Sequence, residues 1–249
     1  MKPILKIDNL KKVYHDSTGE IDAVKNVTIE IYDQEFLVLV GPSGCGKSTI
    51  LSVLAKLEEA SSGNIEFNKE NLKIGYMLQD DALFPWLTIL ENCYLGLKIK
   101  NIFTEENKQN VIRLLENYGL IEFKDKYPSN LSGGMRQRVA LIRTLATNPD
   151  ILLLDEPFSR LDYQTRLILS DDIYRIIKNE KKTAIMVSHD LAESISLGDR
   201  IVVLSKRPCE IKKIYEINLT DKSTPINNRK CKEFSKYYDE IWRDLDVQL

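Results

Sequence analysis

A glycine-rich segment between a short apolar run and an amphipathic stretch constrains the fold of this chain most strongly. Residues Gly41–Thr49 read GPSGCGKST, which is a Gly, four residues, Gly-Lys and then a hydroxyl residue. The apolar run Glu35–Val40 predicts a buried strand before this segment, and the stretch Lys47–Leu57 predicts a helix after it. The helix prediction rests on four apolar residues at helical spacing, namely Ile50, Leu51, Leu54 and Leu57.

The residue types of this segment suit the phosphate groups of a nucleotide. Glycines let the backbone curl so that successive N–H groups point at phosphate oxygens, and the helix N-terminus adds a favourable dipole. Lys47 supplies a positive charge for the β- and γ-phosphates, and the Ser48 hydroxyl suits Mg²⁺. A ligand-free glycine turn is the alternative, and the strand, loop and helix in the right order argue against it. The predicted nucleotide-binding residues are Gly41, Ser43, Gly44, Cys45, Gly46, Lys47, Ser48 and Thr49.

A second nucleotide element is predicted at Ile151–Pro157, where four aliphatic residues end in two adjacent carboxylates. Buried parallel strands have this composition, and ligands bind at their carboxyl ends. Asp155 would face Mg²⁺, directly or through water, and Glu156 would polarise the attacking water as a general base. A strand that ends in a charged turn is the alternative, and it is improbable beside the phosphate loop at 41–49.

The segment Leu131–Arg138, which reads LSGGMRQR, lies between these two elements. Phosphate loop, Leu-Ser-Gly-Gly segment and Asp-Glu strand occur here in the order and spacing of ATP-binding cassette (ABC) ATPase subunits, and the chain resembles that family from about Ile4 to Arg207. The resemblance implies an α/β fold with a P-loop NTPase core. That core has a mostly parallel sheet with flanking helices, to which an antiparallel β subdomain and an α-helical subdomain are added.

One nucleotide-binding domain over residues 1–249 is therefore expected. Residues 1–80 and 150–215 would form the ATP-binding core with the antiparallel β subdomain, 81–149 the helical subdomain, and 216–249 a helical tail. Three apolar patterns support this division. They are the alternating Val27, Ile29, Ile31, Ile65 and Phe67, the helical Val111, Leu114, Leu115 and Tyr118, and the tail's Phe234, Tyr238, Ile241 and Leu245.

Further positions match the family one by one. Gln79, after an apolar stretch, matches the glutamine that senses Mg²⁺ and the attacking water, and His189 matches the switch histidine that contacts the γ-phosphate. Tyr14 matches the aromatic residue that stacks on adenine. By resemblance, the catalytic residues are Glu156, His189, Lys47 and Gln79, and the metal-binding residues are Ser48, Gln79 and Asp155.

The Leu-Ser-Gly-Gly segment acquires a role from the same resemblance. Gly133 and Gly134 open a predicted helix with free N–H groups at its start, and its Val139, Ile142 and Ala146 share one face. The implied anion is the γ-phosphate of ATP that a partner subunit holds, so that two ATP molecules lie between two head-to-tail cassettes. The residues implied in this contact are Ser132, Gly133, Gly134 and, in the loop Ser159–Asp162 that communicates between paired sites, Asp162.

In that loop, Arg160 departs from the small residue that is usual in the family.

Composition limits the alternatives. The 35 Lys and Arg against 37 Asp and Glu leave a formal net charge of −2, so no basic tract for nucleic acid is evident. No apolar run reaches the roughly 20 residues that cross a bilayer, and Met1–Ile4 starts no secretory segment. We expect a cytoplasmic protein, peripheral on the inner face of the membrane. Its implied partners are a second copy or another ABC subunit, a transmembrane permease and an extracytoplasmic solute-binding protein.

The four cysteines lie at positions 45, 93, 209 and 231 without metal-ligand spacing, so reduced thiols are expected. Cys45 differs from the others because a thiol near a helix N-terminus has a lowered pKa. ATP is predicted to protect it from alkylation.

The transported solute is indicated only by branch resemblance. Leu83–Asn92 and Glu156–Arg166 resemble the importers of nitrate, sulfonates and taurine, a branch that also carries bicarbonate and thiamine-precursor pyrimidines. Trp86 is predicted to be exposed and to dock a permease helix. A soluble ABC ATPase of repair or translation would need a long coiled coil or a second cassette, and a GTPase would need an Asn-Lys-x-Asp motif. The sequence has none of these features.

Overall fold

The structure, a computed structural model, describes residues 2–16 and 19–245. Within these ranges nine strands form one sheet, in the order β4-β1-β2-β9-β8-β3-β7-β6-β5. The strands are β1 (Pro3–Asp16), β2 (Gly19–Tyr32), β3 (Phe36–Val40), β4 (Ser62–Phe67), β5 (Ile74–Met77), β6 (Ile151–Asp155), β7 (Thr183–Ser188), β8 (Arg200–Leu204) and β9 (Cys209–Glu216).

The strands β8-β3-β7-β6-β5 are parallel and form the half of the sheet that ends at the edge strand β5. Their residues are almost all buried, as expected for a parallel sheet that is covered on both faces. Along each strand, successive side chains point to opposite faces of the sheet and so pack into two different hydrophobic clusters. Val38 and Leu154 belong to one hydrophobic cluster, whereas Leu37, Leu39 and Leu153 belong to the other. Because the five strands are parallel, their carboxyl ends lie at one edge of the sheet. The phosphate loop follows β3 at this edge, and the Asp155–Glu156 pair lies at the end of β6.

The antiparallel part consists of β4, β1 and β2, and its alternation is that predicted from the sequence. Val27, Ile29 and Ile31 are buried on β2, and β1 pairs with β4 so that Ile7 lies opposite Ile65. This part joins the core through β9, which pairs antiparallel with β8 and parallel with β2, where Val24 lies opposite Cys209. The predicted α/β class with a P-loop core and an added antiparallel part is confirmed.

The helices are α1 (Lys47–Leu54), α2 (Ile89–Ile99), α3 (Glu105–Asn117), α4 (Gly133–Leu145), α5 (Tyr163–Asn179), α6 (Leu191–Leu197), α7 (Pro225–Asn228) and α8 (Phe234–Asp244). Two 3₁₀ turns, Ile121–Phe123 and Pro128–Asn130, lie between α3 and α4. On α3 the predicted apolar face is buried, with Val111, Leu114 and Leu115 at most 1% exposed. No helix in the described part of the chain combines the length and apolar character that a bilayer crossing requires.

The helix after the phosphate loop is shorter than predicted. It ends at Leu54, the backbone of Lys56 adopts a left-handed φ of 58°, and the Leu57 N–H donates to the Ser52 carbonyl. Leu57 is consequently turned away from the apolar face and is 66% exposed. The prediction that Leu57 continues the helical face was wrong, because the chain reverses there toward the antiparallel sheet.

The tail helix packs back on the body of the protein. Ile241 of α8 is fully buried, and Phe234, Tyr238 and Leu245 pack against the same hydrophobic cluster as α6. This outcome agrees with the amphipathic pattern of the sequence. Residues 246–249 of the predicted tail lie outside the described residues.

Candidate nucleotide site

The phosphate loop packs on β2 and β9, and this close packing requires a glycine at position 46. At Gly46 the backbone φ is 127°, and an added Cβ would lie 2.8 Å from the Ala23 carbonyl oxygen. Only glycine fits this close approach. Lys47 is buried, and its Nζ donates to the carbonyls of Gly41 and Pro42 at 2.8 and 3.0 Å, which holds the ammonium inside the loop.

A cavity of about 540 Å³ opens over this loop. Its size falls in the range of ligand sites, roughly 300–1,000 Å³. The lining residues are Ser43, Gly44, Gly46, Lys47, Ser48, Thr49, Glu156, His189 and Arg207. Among the described residues, those predicted to contact a γ-phosphate from the Leu-Ser-Gly-Gly segment are not part of this lining.

A hydroxyl and a carboxylate meet at one side of the cavity. Ser48 Oγ donates to Asp155 Oδ1 at 3.0 Å, and the Tyr76 hydroxyl donates to Asp155 Oδ2 at 3.1 Å. Burial raises the pKa of Asp155, and the two hydrogen bonds oppose that rise by stabilising the carboxylate. One carboxylate and one hydroxyl beside a phosphate cradle form the oxygen donor set that Mg²⁺ takes with substrate phosphates. The residues therefore fit Mg²⁺.

The second carboxylate is turned into the cavity by an unusual backbone. Glu156 has a left-handed φ of 45°, a conformation that costs a non-glycine residue roughly 1–2 kcal/mol. Its Oε2 lies 3.1 Å from His189 Nδ1 and 3.4 Å from Gln79 Nε2. Gln79 Nε2 also donates to Ser159 Oγ at 3.1 Å. The structure thus gathers Glu156, His189 and Gln79, and their catalytic roles stay predictions.

Tyr14 lies beside the phosphate-loop helix but does not line the cavity. Its hydroxyl donates to Glu58 Oε2 at 2.6 Å and contacts Thr49 Oγ1 at 3.4 Å, while Lys12 Nζ lies 4.9 Å from its ring centroid. The side chain is 36% exposed, so one part of the ring surface stays open. This position is compatible with stacking on a base next to Thr49.

The Leu-Ser-Gly-Gly segment starts α4 as predicted, and Ser132 caps it by accepting the Met135 N–H at 3.3 Å. An added Cβ would lie 3.1 Å from Leu161 at Gly133 and 3.1 Å from Thr165 at Gly134. The start of α4 therefore packs on the loop 159–162 and on α5 of the same chain.

Asp162 has a local role in this structure. Its carboxylate caps α5 by accepting the Thr165 N–H at 3.0 Å, and this hydrogen bond with Thr165 lowers its pKa. In the same loop, Arg160 forms an ion pair with Asp80, the residue after Gln79. The departure at Arg160 thus ties the loop to the Gln79 region.

Three contacts at the site were not expected from the sequence. Arg207 donates from Nη2 to the Gly44 carbonyl at 2.8 Å, and Tyr76 donates to Asp155 as described above. Arg136 on α4 pairs with Asp81 at 2.9 Å, which fastens the Gln79 region to the Leu-Ser-Gly-Gly helix. Arg136 belongs to the segment that the sequence singled out, whereas Tyr76 and Arg207 carry no motif signal for these contacts.

The loop before α2 is held by a buried amide. Asn92 is fully buried, accepts the Phe84 N–H at 2.8 Å and donates to the carbonyls of Phe84, Leu87 and Thr88. Trp86 at the tip of this loop is 68% exposed, and its ring centroid lies 5.2 Å from that of Phe84. A rigid backbone thus presents an exposed aromatic side chain, as predicted for Trp86.

A second cavity, of about 650 Å³, adjoins the first. It shares Ser43 and His189 with the nucleotide cavity, and the tail helix contributes Tyr238 and Trp242 to its wall. The first cavity is lined by Lys47, Ser48 and Glu156, so it is the candidate site for nucleotide phosphates although its volume is smaller.

Comparison with known proteins gives one family. The family described as "ABC transporter" matches residues 24–159. An uncharacterized ABC transporter ATP-binding protein of Bacillus subtilis, YtlC, is 43% identical and covers 97% of this chain and 95% of its own. The nitrate import ATP-binding protein NrtD of Synechocystis is 38% identical, with 95% and 93% covered. The aliphatic sulfonates import ATP-binding protein SsuB of Bacillus subtilis is 40% identical, with 87% and 88% covered.

A solved structure gives the same result for the fold. The ATP-binding cassette MJ0796, in a dimeric post-hydrolysis state bound to ADP and Pi, superposes with a TM-score of 0.72 at 31% identity. The match covers 86% of this chain and 99% of that chain.

Proposed function

The chain belongs to the ABC transporter family as an ATP-hydrolysing, ATP-binding subunit, and we propose that two copies close head to tail around two ATP molecules to drive uptake of a small anion. The solute class follows the branch resemblance, with nitrate, a sulfonate or taurine as the candidates. Relatives that import nitrate and aliphatic sulfonates support this class.

One observation carries the dimer proposal. The cavity over the phosphate loop contains Lys47, Ser48 and Glu156, whereas its described lining omits Ser132 and Gly134. At the start of α4 the Met135 N–H is capped by Ser132, and the preceding N–H groups are those that a helix start offers to an anion. A second copy, turned head to tail, would bring that helix start to the open side of the cavity.

The geometry suggests how the residues divide the work. Loop N–H groups and Lys47 Nζ bind the phosphate oxygens, and the Ser48 hydroxyl and the Asp155 carboxylate, 3.0 Å apart, would hold Mg²⁺. Mg²⁺, when bound, neutralises the charge that develops on the β- and γ-phosphates. Glu156 accepts a proton from the attacking water, and His189 and Gln79 hold the carboxylate in place through Oε2.

Energy would reach the membrane through the Gln79 region. Arg136, Arg143 and Gln137 of α4 all bind residues 79–82, because Arg136 pairs with Asp81 and Arg143 donates to two carbonyls there. The loop with Trp86 follows directly. Closure of the dimer around ATP therefore moves the Leu-Ser-Gly-Gly helix and the exposed aromatic loop as one body, and a transmembrane permease helix is the partner that this loop fits.

The same proposal sets the organisation and location of the subunit. Residues 1–80 and 150–215 form the ATP-binding part, 81–149 the part that meets the permease, and 216–249 the tail. The subunit would work on the inner face of the cell membrane with a permease and an extracytoplasmic solute-binding protein.

Dilution tests the proposal. If each site needs the Leu-Ser-Gly-Gly segment of a second copy, ATPase activity per chain rises steeply with protein concentration. Gly134→Asp should bind ATP normally, because Gly134 does not line the cavity of its own chain, and should stay inactive at every concentration, because a carboxylate there repels the partner's γ-phosphate. An added Cβ at Gly134 would lie 3.1 Å from the Thr165 methyl, so circular dichroism of the variant establishes that it is folded. Activity per chain that is independent of concentration would remove the dimer from the mechanism.

A further inference from the structure

Two buried cysteines meet under the phosphate loop. Cys45 comes from the loop itself and Cys209 from the first residue of β9, and both belong to the hydrophobic cluster beneath α1. A Cβ placed on Gly46, the neighbour of Cys45, would lie 3.3 Å from Cys209 Cβ. The loop and the strand are therefore in van der Waals contact here, and both thiols are free.

The segment between β8 and β9 is fastened to the loop by a second contact. Arg207 donates from Nε and Nη2 to the Gly44 carbonyl at 3.2 and 2.8 Å. Gly44 and Cys45 are adjacent, as are the β8–β9 turn and Cys209. The Arg207–Gly44 hydrogen bonds and the close approach of Gly46 to Cys209 thus hold the loop against the start of β9, and so keep the two cysteines near each other.

The two thiols differ in acidity, because the pKa of Cys45 is lowered and the pKa of Cys209 is raised. The neighbouring Cys209 thiol, as a hydrogen-bond donor to the thiolate, is the main cause that lowers the pKa of Cys45, and the positive charge of Lys47 acts in the same direction. The same hydrogen bond raises the pKa of Cys209. The helix N-terminus is thus not the chief cause of the lowered pKa of Cys45 that the sequence predicts.

We propose that Cys45 and Cys209 form a reversible intramolecular disulfide under hydrogen peroxide, and that this bond switches off ATP binding. The Cys45 thiolate attacks the peroxide, gains one oxygen as a sulfenic acid and releases hydroxide. Oxidation removes the negative charge of Cys45, which is a main cause of the raised pKa of Cys209, and the released hydroxide takes the Cys209 proton. The Cys209 thiolate then attacks the sulfenic sulfur, an S–S bond forms, and the departing hydroxide combines with the proton that Cys45 lost on ionising. Two thiols and one peroxide give one disulfide and two waters, and a dithiol reductant reverses the reaction by exchange.

The consequence for nucleotide binding follows from distances. A disulfide brings the two sulfurs to about 2.05 Å, closer than any non-bonded contact, so Cys45 must move toward β9. Cys45 carries one of the N–H groups of the loop, and the next residue, Gly46, lies so close to β2 and β9 that an added Cβ there would be 2.8 Å from the Ala23 carbonyl oxygen and 3.3 Å from Cys209 Cβ. The cradle is therefore distorted, an inference that rests on the phosphate-loop role proposed above.

The other two cysteines serve as internal controls. Cys93 is fully buried in the helical part, and burial raises the pKa of its thiol to about 12, which makes it a poor nucleophile. Cys231 lies near the tail helix and contacts the Asn227 carbonyl. Neither belongs to the hydrophobic cluster that contains Cys45 and Cys209.

The experiment compares ATP binding before and after peroxide treatment of the full chain. For the wild type we expect a mass-mapped link between Cys45 and Cys209, at least a tenfold loss of affinity for radiolabelled ATP, and recovery with dithiothreitol. Cys209→Ser should bind ATP like the reduced wild type and keep that affinity in peroxide. Cys93→Ser should lose affinity as the wild type does.

Equal loss of affinity in Cys209→Ser and wild type would overturn the disulfide, and so would unchanged affinity in the oxidised wild type. Failure of the reduced wild type to bind ATP would instead contradict the proposed function. Circular dichroism of each variant before treatment establishes that the compared proteins are folded.

Discussion

His189 Nδ1 lies 3.1 Å from Glu156 Oε2, although the two residues follow different strands, β7 and β6. These strands are adjacent and parallel, with Asp155 opposite Val187, so their ends bring the two side chains to one point. Glu156 also donates its backbone N–H to the Val187 carbonyl. The sheet register, together with the left-handed backbone of Glu156, therefore builds the pair that would act on the attacking water.

From this pair we predict that Glu156→Gln binds ATP with wild-type affinity, loses turnover by at least 100-fold and accumulates an ATP-bound dimer. A general base contributes roughly 10²–10⁴ in rate, and an amide cannot accept the proton. Steady-state ATPase assays and size-exclusion chromatography with ATP measure the two effects. The exposed Glu116→Gln on α3 serves as the control, and a Glu156→Gln protein that still turns over would show that another group is the base.

Tyr76 is predicted to position the Mg²⁺-facing carboxylate. Removing its hydroxyl in Tyr76→Phe deletes a hydrogen bond to a charged group, worth about 1.5–3 kcal/mol, so the Mg²⁺ concentration for half-maximal ATP binding should rise roughly tenfold. Calorimetric titration of ATP at varied Mg²⁺ measures this directly. In Tyr118→Phe the deleted hydrogen bond is to Glu180, away from the site, and Mg²⁺ dependence should not change. An unchanged Mg²⁺ requirement in Tyr76→Phe would dismiss the positioning role.

For the docking loop we predict that Trp86→Ala reduces recovery with the permease at least tenfold and leaves basal ATPase activity intact. A buried aromatic anchor at an interface contributes 2 kcal/mol or more, and Trp86, at 68% exposed, buries little surface within its own chain. Leu57→Ala is the matched control, because Leu57 is 66% exposed and Trp86 is 68% exposed. Co-purification from membranes quantifies both. Equal recovery of the two variants would place the docking surface elsewhere.

Stability should depend on pH through Glu193, which follows the switch histidine. Burial raises its pKa to about 7, the carboxylate of Asp190 adds to the rise, and the Ser188 hydroxyl, Arg166 and Arg229 oppose it. The folded protein therefore holds a proton that the unfolded chain releases above its ordinary pKa. Stability is full below that pKa and falls as the pH rises toward 7, by on the order of 3 kcal/mol.

Glu193→Gln keeps a neutral, hydrogen-bonding side chain and should lose this part of the pH dependence. Urea unfolding at pH 5 and pH 8 measures the difference. A wild type and a Glu193→Gln variant with equal changes between the two pH values would mean that Glu193 is ionised in the folded state.

The sequence predicts best what is encoded locally. Three motifs depend only on a few neighbouring residues and can be recognised without knowing the fold. They are the phosphate loop, the two carboxylates at the end of β6 and the glycines that start α4. The contacts of Tyr76 with Asp155 and of Cys45 with Cys209 depend on strand order, which joins residues that are 79 and 164 positions apart. Leu57 shows a local pattern that fails. Its spacing predicts a place on the apolar face of α1, but the chain reverses at Lys56 and leaves Leu57 exposed.

The position of β3 between β7 and β8 has a consequence for biosynthesis. Val38 pairs with Met186 and Ile201, so the strand that carries the phosphate loop lacks both neighbours until most of the chain has left the ribosome. Such distant pairing makes folding slow. A nascent chain released before Thr183 would carry the complete loop motif without either neighbouring strand, and would be a substrate for chaperones and proteases instead of a partial ATPase.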